Sequence, residues 1–178
     1  MSLDFKISTV EGNEWLDKLA RFRFEVWSAN NMIDPSLFPE QKCLEDVDQT
    51  AIQIVIELKD ELVASTRFAS YPDIYSTHHG DYYKNAGIRL EGAVGIPEHT
   101  VVRPDMTRRG LHSLIIDEVV RQAIIVGARF TISECTPAAA DLLRKRGRQS
   151  LGMAPYDPRF PNIQFEWMLT EVPKSTLE

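Results

Sequence analysis

The sequence predicts a mixed α+β fold: a central mixed, largely antiparallel sheet with helices on both faces. Three β-type runs, AIQIVIEL, LVASTRFASY and GAVGIPEHTVV, follow one another with no helical pattern between them. The last of these passes through a basic, Gly-containing turn into an amphipathic helix and then a further strand, a βαβ-like unit. No repeat, low-complexity tract or Gly/Ser linker interrupts residues 1–178, so a single domain is expected.

The opening FKISTV alternates apolar and polar like a strand, and NEWLDKLARFRFEVW then places Trp15, Leu16, Leu19, Phe22 and Val26 at helical spacing. Asn30 to Gln49, rich in Asn, Pro and acids, reads as a long loop or irregular helices, a kind of connection that often carries function. AIQIVIEL and LVASTRFASY make a hairpin whose turn is KDE. A second irregular span, 72 to 92, carries Pro72, Gly80, Gly87 and Gly92. The strand in GAVGIPEHTVV ends where Pro104 has no N–H for a ladder. From Leu111 the apolar residues Leu114, Ile115, Val119 and Ile124 recur at three and four, giving a helix that Gly127 closes. ARFTISECT is a strand, Thr136 caps and Pro137 opens the helix of AAADLLRKR, Gly147 stops it, and NIQFEWMLTEV supplies the last strand.

Composition narrows the functional classes. Hydrophobic residues at 43% and charged residues at 26% describe an ordinary globular protein, too apolar to be disordered and too interrupted to cross a bilayer. Cys43 and Cys135 are too few for a disulfide framework and the amino terminus lacks a secretory core, so a cytoplasmic protein with reduced thiols is expected. A net charge of -6 argues against broad nucleic-acid binding, which depends on Lys and Arg displacing phosphate counterions. The positive charge is nevertheless concentrated, in RPDMTRRG (103 to 110) and RKRGR (144 to 148). Such clusters either focus a small anion or form a solvated helix face.

The segment Thr100 to Leu114, TVVRPDMTRRGLHSL, carries the chemistry. A helix start presents backbone N–H groups with no intrahelical partner and the positive end of the macrodipole, so phosphate is held there by several hydrogen bonds. Arg108 and Arg109 add charge, Gly110 leaves room for close approach to the backbone, and Ser113 offers a hydroxyl. The plainer alternative is a tight turn at Gly110 with solvated arginines.

These residues resemble the GCN5-related N-acetyltransferases, whose signature is a strand ending V-x-P and then a Q/R-x-x-G-x-G/A loop opening a helix. Val102 and Pro104 match, and the loop reads Thr107, Arg108, Arg109, Gly110, Leu111, His112, which keeps the first Gly but has Thr107 for Gln/Arg and His112 for the small residue. TPAAADLLRKRG resembles the second motif, Asn followed by AxxLYxKxGF, with Thr136, Ala139, Leu142, Lys145 and Gly147 in register. The amino-terminal half is similar to acyl-homoserine lactone synthases, a branch of the same fold, through Arg23, Trp27, Asp46, Asp48 and Arg67. That branch places a Glu three residues before an Arg on the strand preceding the loop, and the corresponding positions here are Ile96 and His99.

The resemblance implies direct transfer of an acyl group from acetyl-CoA or another acyl-CoA to a small amine or amino acid, without a metal. Val101 and Val102 would take the pantetheine arm, and Arg108, Arg109, Gly110, Leu111, His112 and Ser113 the diphosphate. A main-chain N–H would stabilise the tetrahedral oxyanion. An ammonium acceptor must lose a proton, and Glu98, His99 and Glu134 are the candidate bases, Glu98 ranked first. Strand alternation lets only one of Glu98 and His99 face the cleft. An exposed strand carboxylate and a packed imidazole are the structural alternatives. The family's acid, the Tyr of the LY pair, is Leu143, so the departing thiolate takes its proton from water.

Other groupings read as structural. His78, His79 and Asp81 lack a further ligand at metal spacing. Phe22, Phe24 and Trp27 either wall an acceptor pocket or pack the core, and Arg67 with Asp46 and Asp48 forms an ion-pair network that orders the long loop. Two further readings stand beside the acyl-CoA enzyme: a lactone-synthase-like enzyme taking acyl chains from acyl carrier protein, for which the basic 144 to 148 patch is suited, and a non-catalytic acyl-CoA sensor. Acyl carrier protein and a second copy of the chain are the macromolecular partners left open, with neither nucleic acid nor membrane.

Overall fold

The computed structural model describes residues 4–173. Seven strands, β1 (Phe5–Val10), β2 (Ile52–Leu58), β3 (Glu61–Tyr71), β4 (Val94–Val102), β5 (Phe130–Cys135), β6 (Gln149–Met153) and β7 (Glu166–Glu171), form one sheet in the order β1-β2-β3-β4-β5-β7-β6. The helices are α1 (Asn13–Ala29), α2 (Gly80–Asn85), α3 (Leu111–Ile125) and α4 (Pro137–Lys145). The sheet is mixed: β4 runs parallel to β5, while β1-β2, β2-β3, β5-β7 and β6-β7 are antiparallel. Among the described residues no helix is long and apolar enough to cross a membrane.

The chain divides into two compact units, each assembled from separate stretches. The first is Met1–Phe68, Glu98–Glu118 and Tyr156–Ile163; the second is Ala69–Pro97, Val119–Pro155 and Gln164–Glu178.

In the first unit, α1 buries Leu16, Leu19, Phe22 and Val26 of the stripe that the apolar spacing predicts, together with Ala20 and Trp27, while Trp15 of that stripe is only half-buried. Arg23 is buried on the same helix, and a charge there requires partners. The β2-β3 hairpin turns through Lys59 and Asp60, both with positive φ (53° and 65°), the backbone that matches the right-handed twist of the flanking strands. Ile54, Val55 and Ile56 are fully buried. The long loop after α1 contains two short 3-10 turns, Pro35–Leu37 and Asp46–Gln49. It is tied down by backbone bonds from Cys43 N–H to the Ala20 carbonyl (3.0 Å) and from Asp34 N–H to the Arg159 carbonyl (3.2 Å).

The second unit has its own core of Ile74, Tyr83, Val94, Ile96, Ile132 and Trp167. Residues 72 to 92 are more ordered than the sequence suggests. Asp73 accepts from the N–H groups of Tyr75 (2.8 Å) and Ser76 (2.9 Å), starting the turn Ile74–Ser76, and α2 follows. Gly80 opens α2 because a Cβ there would stand 2.0 Å from the Tyr75 carbonyl oxygen. Strand β6 has no sequence signature: its residues are mostly exposed, its pairing shifts between Ser150 and Gly152, and so alternation is absent. Strand β7 starts at Glu166, later than the run from Asn162 suggests. Pairing of β4 with β5 covers Val94↔Phe130 and Gly95↔Thr131; two residues on, Pro97 has no N–H to extend it.

Candidate functional site

The basic turn in the first unit is built from the end of β4. Val101 and Val102 are buried, and the Arg103 N–H bonds the Val63 carbonyl at 2.9 Å, which fixes where the strand stops. The turn Pro104–Met106 follows. Arg103 is not available to a ligand: its guanidinium is held by Asp105 (2.7 and 3.1 Å) and Glu61 (3.0 Å). Arg108 and Arg109 are exposed. Arg108 (φ 62°) and Gly110 (φ 82°) both occupy the left-handed region, and no heavy atom stands within 4 Å of where a Gly110 Cβ would be. The space in front of this turn is open. Helix α3 makes its first bond from Leu114 N–H to the Gly110 carbonyl (3.1 Å), so the amides of Leu111, His112 and Ser113 precede any intrahelical acceptor. Leu111 turns its side chain into the core and presents only backbone, whereas His112 is exposed and Ser113 half-buried.

The same unit contains a buried ion cluster. Arg23 donates to Asp48 (2.8 Å) and to Gln53 (2.8 Å), and Arg67 donates to Asp48 (3.2 Å), to Glu98 (2.8 Å) and to Glu45. Arg159 bonds Glu45 and grips both carboxylate oxygens of Asp157. Arg23, Arg67 and Asp48 are at most 1% exposed, so their charges persist only because they are paired. Burial depresses the Arg23 pKa although Asp48 opposes it. Burial acts the same way on Arg67, but Glu98, Glu45 and Asp48 outweigh it and raise the pKa. Burial would raise Glu45; the guanidinium groups of Arg67 and Arg159 hold it below the ordinary carboxylate value instead. Asp48 therefore joins the network expected for the loop, while Asp46 is exposed.

Glu98 and His99 depart from the alternation that the sequence implies. His99 has φ 52°, a left-handed conformation inside a strand, so successive side chains do not simply point to opposite faces. Glu98 is held by Arg67, and the His99 Nε2 stands 3.6 Å from the Glu45 carboxylate that Arg67 also binds. Both belong to one cluster. The ring of His99 meets that of Trp27 edge-on at 5.1 Å, and its Nδ1 is buried with no hydrogen-bond partner. Burial, then the charges of Arg67 and Arg23, push the His99 pKa well below 6.5 against a smaller opposing effect of Glu98, so the imidazole is neutral. The lactone-synthase pattern had pointed to Ile96 and His99, yet the β4 carboxylate that meets Arg67 is Glu98. Glu45 and Arg159 drew no attention in the sequence: Glu45 is one acid among several in LEDVD, and Arg159 reaches it from 114 residues away.

Glu134 belongs to the second unit, where its carboxylate is 3.7 Å from His79 Nε2 and it pairs across the ladder with Trp167. His79 thus has a carboxylate partner. The Cys135 thiol is buried and its pKa is pushed up to about 12, which makes it inert. Leu143 is buried on α4, and Arg144 of the basic patch is held by Asp141 and Glu166.

No family model and no curated protein matches the chain by sequence. Solved structures do match. FeeM, an N-acyl amino acid synthase from uncultured soil microbes, superposes with a TM-score of 0.71 at 11% identity, covering 96% of this chain and 92% of that one. MesI, a CoA-dependent acyl-homoserine lactone synthase, gives 0.66 at 16% identity, covering 96% and 89%. An acetyltransferase of the GNAT family from Streptococcus pneumoniae gives 0.60 at 15% identity, covering 96% and 100%. The chain has the GNAT fold. The similarity of fold runs over 96% of the chain and is not confined to the strand-turn-helix of β4 and α3, and an acyl-homoserine lactone synthase is among the neighbours as well.

Proposed function

We propose that this chain is a single-domain cytoplasmic N-acyltransferase that moves an acetyl or other acyl group from a coenzyme A thioester to the amino group of a small amine or amino acid. The observation that carries this reading is the turn at Arg108 to Gly110. Two left-handed residues aim it, open space lies at Gly110, and the unbonded amides of Leu111, His112 and Ser113 follow directly, with Arg108 and Arg109 exposed beside them. A diphosphate fits this arrangement, and Val101 and Val102 lead up to it on β4 for the pantetheine arm.

Of the candidate bases, His99 suits the task better than Glu98. The Glu98 carboxylate is committed to Arg67, whereas His99 is neutral and has an unused ring nitrogen. Glu134, beside His79, is the third candidate. With Leu143 in place of a tyrosine, the thiolate leaves unprotonated and is protonated by water.

Calorimetry or a thermal shift with acetyl-CoA and longer acyl-CoA tests the donor. Ligand at 100 times its Kd stabilises the fold by about 2.7 kcal/mol. No shift with any of them removes the reading. Thiol release over a panel of amines and amino acids then separates enzyme from sensor, since binding without turnover on any acceptor marks a sensor. The neighbours FeeM, an N-acyl amino acid synthase, and MesI, a CoA-dependent acyl-homoserine lactone synthase, favour one second reading, a synthase of the lactone-synthase type, and the basic 144 to 148 patch suits acyl carrier protein as its donor. Turnover with acyl carrier protein where acyl-CoA gives none would select it.

A further inference from the structure

The surroundings of His99 contain an asymmetry that the acyl-transfer reading does not itself require. Its two ring nitrogens have opposite environments: Nε2 faces the Glu45 carboxylate at 3.6 Å, and Nδ1 is buried with no partner. A neutral imidazole carries one N–H and one lone pair. With the hydrogen on Nδ1, a donor would be orphaned in the interior and the Nε2 lone pair would face a negative charge, and both cost free energy. With the hydrogen on Nε2, the carboxylate attracts it and only an acceptor is left unfilled. Glu45 is also anchored. Arg67 and Arg159 each bond it, so its charge and position persist.

We infer that Glu45 is a positioning residue that holds the His99 hydrogen on Nε2 and so keeps the buried Nδ1 lone pair as the ring's open acceptor, which takes the proton of the acceptor ammonium through a relaying water. The inference rests on the acyl-transfer reading for its chemical role, though the hydrogen position is a property of the unliganded chain. In the step, the ammonium N–H bond breaks and its proton passes through the relaying water to Nδ1. The amine lone pair forms a bond to the thioester carbonyl carbon, and collapse of the tetrahedral species breaks the C–S bond. The second proton lost from nitrogen ends on the departing thiolate by way of water, and Nδ1 later returns its own to solvent. The imidazolium formed in between lies beside Glu45. The other charged groups around His99 are Arg23 from α1, Arg67 from β3, Glu98 from β4 and Arg159 from the 156–163 segment. The three arginines oppose protonation, which keeps the ring a base in the resting protein, and Glu45 is the carboxylate placed against the ring nitrogen itself.

Long-range 1H–15N correlation NMR on protein with labelled histidines reads the hydrogen position without any substrate. Of the four histidines, the signal absent in His99→Asn is that of His99. In the wild-type chain at neutral pH it is expected as the neutral Nε2–H form. Glu45→Met removes that bias, and the isosteric Glu45→Gln, with an amide able to donate to Nε2, shifts the hydrogen toward Nδ1. The Nδ1–H form in the wild type, or no change in a folded Glu45 variant, overturns the assignment. In turnover, Glu45→Gln is expected to lower kcat at least tenfold with the KM for acyl-CoA unchanged, and to move the acidic limb of the kcat/KM profile to lower pH. Glu45→Asp restores the limb in part. A limb that stays in place while kcat falls would assign Glu45 a structural role only. A wild-type chain with the Nε2–H form but no turnover on any thioester would retire the acyl-transfer reading and leave the Glu45–His99 pairing intact.

Discussion

Two arginine-rich regions of the first unit use the same side chain in opposite ways. In the interior, Arg23 and Arg67 are sealed among Asp48, Glu45, Glu98 and Gln53, which bind their terminal guanidinium nitrogens while each Nε is buried without a partner. At the turn before α3, Arg108 and Arg109 stand in solvent, and only Arg103 is fixed by neighbours. Charge alone does not distinguish these settings; burial does. A desolvated guanidinium without its carboxylates costs several kcal/mol, so the interior arginines are bound to the fold, whereas exposed ones remain free for a transient anion.

The sharpest way to break this contrast is Arg67→Met. It leaves Asp48, Glu98 and Glu45 short of a counter-charge in the interior, and a loss of about 3–5 kcal/mol in urea unfolding is expected. A change below 1 kcal/mol would mean that water or rearrangement already compensates these carboxylates, and the interior would then resemble the exterior.

The sequence makes the exterior region more legible than the interior one. The apolar strand, Pro104, the basic turn and Gly110 are contiguous, so local rules of helix starts and glycine backbone suffice to place a candidate anion site. Most element types are legible for the same reason, from the spacing in α1 and α3 to the Thr136 cap that accepts from the Ala139 N–H at 3.4 Å. In the interior cluster Arg23, Arg67 and Arg159 instead reach Asp48, Gln53, Glu98 and Glu45 across 19 to 114 positions, and no spacing rule links Arg159 with Glu45 or Gln53 with Arg23. Arg23 and Arg67 were visible only through resemblance. The alternation rule failed at His99 because one left-handed residue resets it, and a positive φ at a non-glycine position has no sequence signal. The short α2 and the exposed β6 were missed since neither has an amphipathic pattern to read.

A second test follows pH. His99 titrates below 6.5 when folded, so between about pH 6.5 and its folded pKa the unfolded chain binds a proton that the native chain refuses. Stability therefore rises with pH through that window and falls on acidification, by up to about 1.4 kcal/mol per pH unit. Glu45 acts in the same direction but lower, since its depressed pKa sustains stability above 4.5 and loses it beneath. Unfolding free energies at pH 7 and 5.5 should differ less in His99→Asn than in the wild type. Equal slopes would show that the ring is solvated, in contradiction to its burial.

Gly110 probes the exterior region without removing either arginine. Any side chain at φ 82° is strained, so Gly110→Ala and Gly110→Glu should each cost about 1 kcal/mol of stability. The space around the position is open, and only glutamate fills it with bulk and negative charge. Calorimetry with acetyl-CoA should show weakened binding for alanine and none for glutamate. Equal affinity for all three would remove the turn from the donor site.

The smallest effect on the fold, and the most telling for the comparison, belongs to Arg108→Ala combined with Arg109→Ala. Neither side chain is buried, so unfolding should stay within about 0.5 kcal/mol of the wild type. Acetyl-CoA affinity should nonetheless fall several-fold at low ionic strength, and the deficit should shrink as salt rises because exposed charges are screened beyond about 10 Å at 0.1 M. If affinity is unchanged while Gly110→Glu abolishes binding, the backbone amides hold the anion alone, and the exposed arginines serve encounter or solubility. If stability falls instead, the two arginine regions are coupled through the fold, and the division between buried and exposed charge does not hold.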